Sequence, residues 1–304
     1  GFTALTFFSY FDYHRLHSLA SPILCVALVL LILVFIPGVG VGLLGANRWI
    51  DTGIFVLQPA EFVKLALAIY LAAWFSNKEK GRLGAFLLLM SLVLGLVMLQ
   101  PDMGTTIIIL SEAFVIYFLS GANIIYLTLI APILAFLGFL FIKLSPYRAK
   151  RLEAFLSLND SIESSSYHVK QILIALGAGG ITGVGLGNSI QKYAYLPEST
   201  TDSIFAIIAE ELGFIGAAAL ILFFIFIFAR CFYISVNAKD NFGKLLGGGI
   251  TTFLAVQTVI NLAAQTALVP LTGIPLPFLS YGGSSLIIDL CAIGILLNIS
   301  KRSD

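Results

Sequence analysis

Long apolar stretches separated by short polar ones set the character of this chain. Runs of mostly apolar residues fall at about 19–37, 60–76, 84–99, 104–120, 123–143, 204–229, 246–268 and 285–299, with a partial one at 1–10. The hydrocarbon layer of a bilayer takes a helix of roughly 20 apolar residues, so each run predicts a membrane-spanning helix. The first residues, Gly1-Phe2-Thr3-Ala4-Leu5-Thr6-Phe7-Phe8, read as the end of a span already under way.

The cations between the runs predict an orientation, because Lys and Arg collect in short cytoplasmic loops. Lys78, Lys80 and Arg82 mark one such turn, Arg230, Lys239 and Lys244 another, and Lys301 with Arg302 places the C-terminus inside. His14 and Arg15 fit the same side. Threading the alternate segments outward leaves 38–59, 100–103, 144–203 and 269–284 external. The third carries Lys143, Arg148, Lys150, Arg151, Lys170 and Lys192 at or within its bounds. The charge rule loses force in loops of about 60 residues. Within that segment Val169–Leu186 is apolar and Gly-rich, and one more crossing there would invert every later loop. It is read as re-entrant or interfacial. The expectation is a single transmembrane domain over 1–304, with a large extracytoplasmic loop at about 144–203.

Composition agrees with the pattern. Of 304 residues, 59% are hydrophobic and 11% charged, whereas soluble domains are about 45–50% apolar and about 25% charged. One water-soluble domain could not hide that surface; lipid receives it directly. The net charge of +1 and the lack of a basic tract give no sign of a nucleic-acid partner. Cys25, Cys231 and Cys291 lie in or beside apolar runs, with spacing that suggests neither disulfides nor a metal site.

Ionisable residues inside spans are costly, and each is a functional candidate set against a structural alternative. Pro59 suits the first turn of a helix and Glu61 its positive end. Glu61 and Lys64, three apart, can pair on one face. They form either a capping acid with its partner or part of a site, and Lys64, more than a turn inside an apolar helix, favours the site. Asp102 in Gln100-Pro101-Asp102-Met103-Gly104-Thr105 is either a helix N-cap or a functional acid, and Asp202, at the mouth of the 204–229 run, poses the same choice. Glu112, Glu210, Glu211 and Asp289 are equally open to a structural reading, the adjacent pair 210 and 211 pointing about 100° apart on a helix. The last external segment, Pro270 to Ser285, is rich in Pro and Gly. Irregular backbone at membrane depth is tolerated where it is buried in protein or lines a cavity, so the external segments together predict one outward-facing cavity.

Several strings recur together. Gly45-Ala46-Asn47-Arg48-Trp49, Gln58-Pro59-Ala60-Glu61 with Lys64, Gln100-Pro101-Asp102 with Gly104-Thr105, Tyr195-Leu196-Pro197-Glu198 with Thr201-Asp202, Ala209-Glu210-Glu211-Leu212-Gly213, and Pro275 through Ser285 resemble the SEDS family (shape, elongation, division, sporulation), in the family's order and over nearly the whole chain. The stretch from Gly187 to Glu198 is more similar to the FtsW/SpoVE branch than to the RodA branch. The resemblance implies an all-α polytopic fold of ten spans with both termini inside, matched here if the first span and part of the second are absent from this chain. It also implies a bacterial cytoplasmic (inner) membrane enzyme with its active site facing outside. That enzyme would be a peptidoglycan glycosyltransferase polymerising lipid II into glycan strands, with a class B penicillin-binding protein as partner. One departure stands out: the family usually reads His-Thr-Asp-Phe where this chain has Thr200-Thr201-Asp202-Ser203.

By that resemblance Asp202 is the catalytic base, taking the proton of the acceptor sugar's 4-hydroxyl. Arg48, Glu61, Lys64, Asp102, Lys192, Glu198, Ser280 and Tyr281 are the expected substrate-binding residues. Among them Arg48, Lys64 and Lys192 are suited to offset pyrophosphate charge, a duty a divalent cation could share although no motif demonstrates one. The lipid tails of both substrates imply an apolar groove open to the bilayer. Two rival readings remain, a lipid II flippase, for which intramembrane charges suit equally, and a non-catalytic scaffold for the penicillin-binding protein.

Overall fold

A computed structural model of the protein describes residues 1–43, 46–51, 53, 56–77, 83–122, 164–194 and 200–303, with residues 125, 128, 129, 132, 138 and 143 between them. The expected span at 123–143 lies largely outside the described residues, and so do Lys78, Lys80, Arg82, Arg148, Lys150, Arg151 and Glu198. The elements in chain order are α1 (Phe2–Tyr10), α2 (His14–Leu33), β1 (Gly40–Leu43), β2 (Ala46–Asp51), β3 (Val56–Leu57), α3 (Pro59–Ser76), α4 (Leu83–Leu99) and α5 (Met103–Leu119). They continue with α6 (Ser164–Ala178), α7 (Gln191–Ala194), α8 (Ile204–Val236), α9 (Asn241–Gln265) and α10 (Gly283–Ser303). Five of these helices, α2, α3, α8, α9 and α10, are long and apolar enough to cross a membrane, and α4 and α5 are shorter apolar helices. Each lies on an expected run. The helix α2 starts at His14 rather than Leu19, because Leu16 and Ala20 already share its buried face.

Two compact units make up the chain. The first comprises 1–122, 227–256 and 282–304. Its core helix is α3, which packs against α2, α5 and α10. Of α3, 72% is buried, against 28% of the apolar stretch of α2. The apolar side chains of α2 therefore largely face outward, as lipid permits. An all-α expectation missed one feature: β1, β2 and β3 form a small antiparallel sheet in that order, pairing Val41 with Trp49 and Ile50 with Leu57. Glycines at 38, 40 and 42 disfavour a helix there, and strand pairing satisfies the backbone instead. At the foot of α2, Asp12 accepts bonds from the His14 amide and ring and pairs with Arg302 at 2.9 Å. Desolvation works to raise the Asp12 carboxyl, but the His14 bonds and the Arg302 charge together outweigh it and hold the group below its ordinary 3.8.

The second unit comprises 123–226 and 257–281. The 15-residue α6 ends in a Gly-rich turn over 179–190. That turn docks into a break in α8 at Gly213, where φ is 66°. The Phe214 and Ile215 amides donate to the Gly180 and Ile181 carbonyls at 2.9 and 3.2 Å, while Val184 and Gly185 donate to Glu210 and Glu211 carbonyls, each at 3.0 Å. Hydrogen bonds that the helix loses at its break are thus remade with the turn. A Cβ on Gly213 would lie 2.3 Å from the Gly183 nitrogen, so only glycine allows this approach. One face of α6, Ile172 and Ala175 with Leu176, packs on Ala206 and Ile207 of α8 and on Leu271.

Candidate functional site

In the second unit the turn 200–203, just before α8, carries Asp202 half-buried. Three sets of bonds hold it. The Thr200 carbonyl accepts from the Tyr281 amide at 2.9 Å, and the Thr201 carbonyl accepts from Ser280 Oγ at 2.5 Å. The Asp202 carbonyl accepts from Asn261 Nδ2 at 3.2 Å, and the same nitrogen donates to the Ile274 carbonyl at 2.7 Å. Gln265 extends the set, its Nε2 donating to Asn261 Oδ1 at 2.6 Å and its Oε1 accepting from the Ala206 amide at 2.8 Å. Gln257 Nε2 donates to the Pro275 carbonyl at 3.0 Å. The amides of α9 at 257, 261 and 265 therefore form an i,i+4 ladder, each at most 2% exposed. Their work is physical: irregular backbone at 200–203 and 274–276, and the first amides of α8, have carbonyl and amide groups that need partners once out of water.

The loop 274–281 is organised by the same bonds. Ser280 Oγ, besides donating to Thr201, accepts from the Leu276 amide at 2.8 Å. Its hydroxyl links loop and turn. Phe278 sits at φ 66°, an uncommon left-handed conformation for an aromatic residue. Tyr281 is 81% exposed, with its ring free of the core. Gly273 comes close enough that a Cβ there would lie 3.3 Å from Asp202 Oδ2, so glycine at this point leaves room beside the carboxylate.

Elsewhere in the same unit, the turn beside Gly213 gathers the neighbouring acids. Glu210 accepts from Ser189 Oγ at 2.5 Å and from the Ile190 amide at 3.2 Å, and Lys192 Nζ meets Glu211 Oε1 at 2.7 Å. Although 210 and 211 point apart on a helix, the turn wraps far enough around α8 to meet both. Lys192, expected near pyrophosphate, is thus an ion-pair partner of Glu211.

In the first unit, Arg48 on β2 donates through Nε to the Gln100 carbonyl at 2.9 Å and through Nη2 to the Pro101 carbonyl at 2.5 Å. Asp102 next to them caps α5, accepting from the Thr105 amide at 3.0 Å and the Thr105 hydroxyl at 2.9 Å. Its capping alternative is the geometry found. Glu61 and Lys64 pair at 2.8 Å with 2% and 0% of their side chains exposed, and Phe253 places its ring 5.6 Å from the ammonium. Glu112 is fully buried, and neither carboxyl oxygen has a hydrogen-bond partner among the described residues. Asp289, also fully buried, lies 3.5 Å from Ser285 Oγ.

Sequence reasoning passed over Gln257, Asn261 and Gln265. Their signal was nonetheless present, as three amides at four-residue spacing inside an apolar run. Among the described residues no three His, Cys, Asp or Glu side chains come together to hold a metal ion.

Comparison with known proteins follows the same lines. The family model described as "Cell cycle protein", covering FtsW, RodA and SpoVE, matches residues 1–304. The chain is 43% identical over 282 residues to stage V sporulation protein E of Bacillus subtilis, covering 90% of this chain and 76% of that protein. It is 41% identical over 289 residues to the probable peptidoglycan glycosyltransferase FtsW of Trichlorobacter lovleyi, covering 92% and 75%. Among solved structures, one of a peptidoglycan synthase complex, concerned with coordination of polymerization and crosslinking, superposes with a TM-score of 0.83 at 28% identity, covering 99% of this chain and 86% of that one. The rod shape determining protein RodA of Thermus thermophilus superposes with a TM-score of 0.70 at 29% identity, covering 99% and 84%. A match over every residue, together with the shared helical fold, makes this chain a member of the FtsW/RodA/SpoVE family, the SEDS multi-pass membrane proteins.

Proposed function

We propose that this protein is a peptidoglycan glycosyltransferase that polymerises lipid II at the outer face of the cytoplasmic membrane, with Asp202 as general base. The observation that carries the assignment of the base is the way its turn is held. The backbone carbonyls of Thr200, Thr201 and Asp202 are each bonded to a different group, from the 280–281 loop or from the α9 amide ladder. A carboxylate on so constrained a backbone is oriented before substrate arrives, which proximity catalysis requires. Relatives named as probable peptidoglycan glycosyltransferases support the reaction class, and the synthase-complex structure supports a class B penicillin-binding protein as partner.

In the reaction, Asp202 accepts the proton of the 4-hydroxyl on the acceptor N-acetylglucosamine. The oxygen's electron pair forms the bond to C1 of the donor N-acetylmuramic acid. The bond from C1 to the pyrophosphate oxygen breaks, and its pair leaves on undecaprenyl pyrophosphate. Positive charge near that leaving group favours the transition state. Arg48 spends two of its donors on carbonyls, while Lys64 and Lys192 already carry carboxylate partners. The exposed Tyr281, whose amide holds the turn, is suited to a sugar face. Ser280 is assigned to the substrate region, where its hydroxyl positions the turn.

The test is glycan synthesis from lipid II by the purified full-length protein with its partner. Asp202→Asn is expected to lower polymer formation by about 10²–10⁴-fold while the complex still assembles. Normal polymerisation by that variant would falsify the role of the base, and retained wall synthesis with it would favour a scaffold. A lipid II flippase is the second reading, favoured by the buried Glu61–Lys64 pair and Glu112 inside helices. It predicts polymer from neither the wild type nor the variant.

A further inference from the structure

We infer that His168 is a positioning residue for the Asp202 turn and acts through Ser203; the inference rests on Asp202 being the general base. His168 Nε2 lies 2.8 Å from Ser203 Oγ. Ser203 is 0% exposed, so its hydroxyl has left water and depends on protein groups such as this imidazole. The contact sits at the end of a packed seam. His168, Ile172, Ala175 and Leu176 follow the i, i+4, i+7, i+8 spacing of one face of α6, and Ser203, just before α8, is followed at i+3 and i+4 by Ala206 and Ile207 at its start. Ile172, Ala175, Leu176, Ala206 and Ile207 are the apolar part of that seam. The same register that buries them brings the imidazole onto the hydroxyl.

Two sides of the turn are therefore held differently. The α9 amides and the 280–281 loop bind the backbone of residues 200–202, and none of those bonds reaches the Ser203 side chain. The His168 contact adds a tether on the C-terminal side of Asp202. With both neighbours of Asp202 held, the carboxylate's swing about the backbone is limited from both directions.

Where the SEDS pattern reads His-Thr-Asp-Phe, residues 200 and 203 are Thr and Ser. The small residue at 203 supplies a hydroxyl to His168 at the point where Phe would offer no hydrogen-bond partner.

A double-mutant cycle on the full-length protein with its partner, acting on lipid II, tests this. His168→Ala and Ser203→Ala are each expected to lower kcat about five- to tenfold, the scale of one hydrogen bond, with little change in KM. The double variant is expected to fall no further than the poorer single, because both changes remove one interaction. His168→Gln, which keeps a side-chain nitrogen, is expected to recover most of the rate. Multiplied losses in the double variant, or unchanged kcat in both singles, overturn the inference while leaving the Asp202 reading intact. So does a loss traced wholly to lowered thermal stability. Full polymerisation by Asp202→Asn overturns both together.

Discussion

Lys64 has no exposed side-chain surface, and its neighbours explain how the helix tolerates it. An ammonium and a carboxylate each lose several kcal/mol of hydration on burial, recovered only through close pairing. The 2.8 Å contact with Glu61 and the Phe253 ring supply that pairing. Lys64→Met should therefore destabilise the protein by about 3–5 kcal/mol, chiefly by leaving Glu61 buried with its charge uncompensated. Adding Glu61→Gln should restore most of the loss, as read by thermal unfolding in detergent. Equal destabilisation of the single and double variants would refute the argument. The pair was legible from sequence because three-residue spacing on a helix is a local property, and so was the Asp102 cap, whose partner Thr105 lies three residues on. Whether Lys64 also serves a substrate was not legible, since pairing and catalysis ask for the same residue types.

At the scale of elements, the break in α8 shows where a local reading stops. The run at 204–229 is apolar enough to predict one continuous helix, and Gly213 inside it gives only a weak hint of a bend. Its φ of 66° exists because the 180–185 turn supplies the four backbone bonds around the break. Gly213→Ala places a Cβ against the Gly183 backbone and forces alanine into a left-handed conformation, so the turn should detach. The expected outcome is faster amide hydrogen exchange over 180–190 with a stability loss of about 1–3 kcal/mol. Unchanged exchange there would show that the turn is held by other contacts. The sheet of β1, β2 and β3 was hidden for a related reason: its pairs need one strand brought back on another, which a hydropathy pattern does not encode.

Across the whole molecule, apolar surface is distributed as lipid solvent allows. In the window of α8 best suited to span a membrane only 17% of residues are buried, and Leu222, Phe223, Ile225 and Phe226 are each more than half exposed. Such a surface would aggregate in water, whereas in a bilayer it needs no protein cover. Phe223→Arg should cost about 2.5–3.5 kcal/mol of insertion energy near the middle of a span. It should reduce the membrane-integrated yield well below that of Phe223→Leu, measured by carbonate extraction, and equal yields would contradict a lipid-facing position. What the sequence determined by itself was the membrane class, the place of nearly every described helix and the family. Span length, cation placement and motif strings are all properties of neighbouring residues. Only the tertiary structure decided what holds Asp202. Its carbonyl is bonded to an amide 59 residues away, Ser280 reaches back 79 residues to Thr201, and His168 meets Ser203 across 35. Contacts over such separations follow from how the helices pack, and no local pattern carries that information.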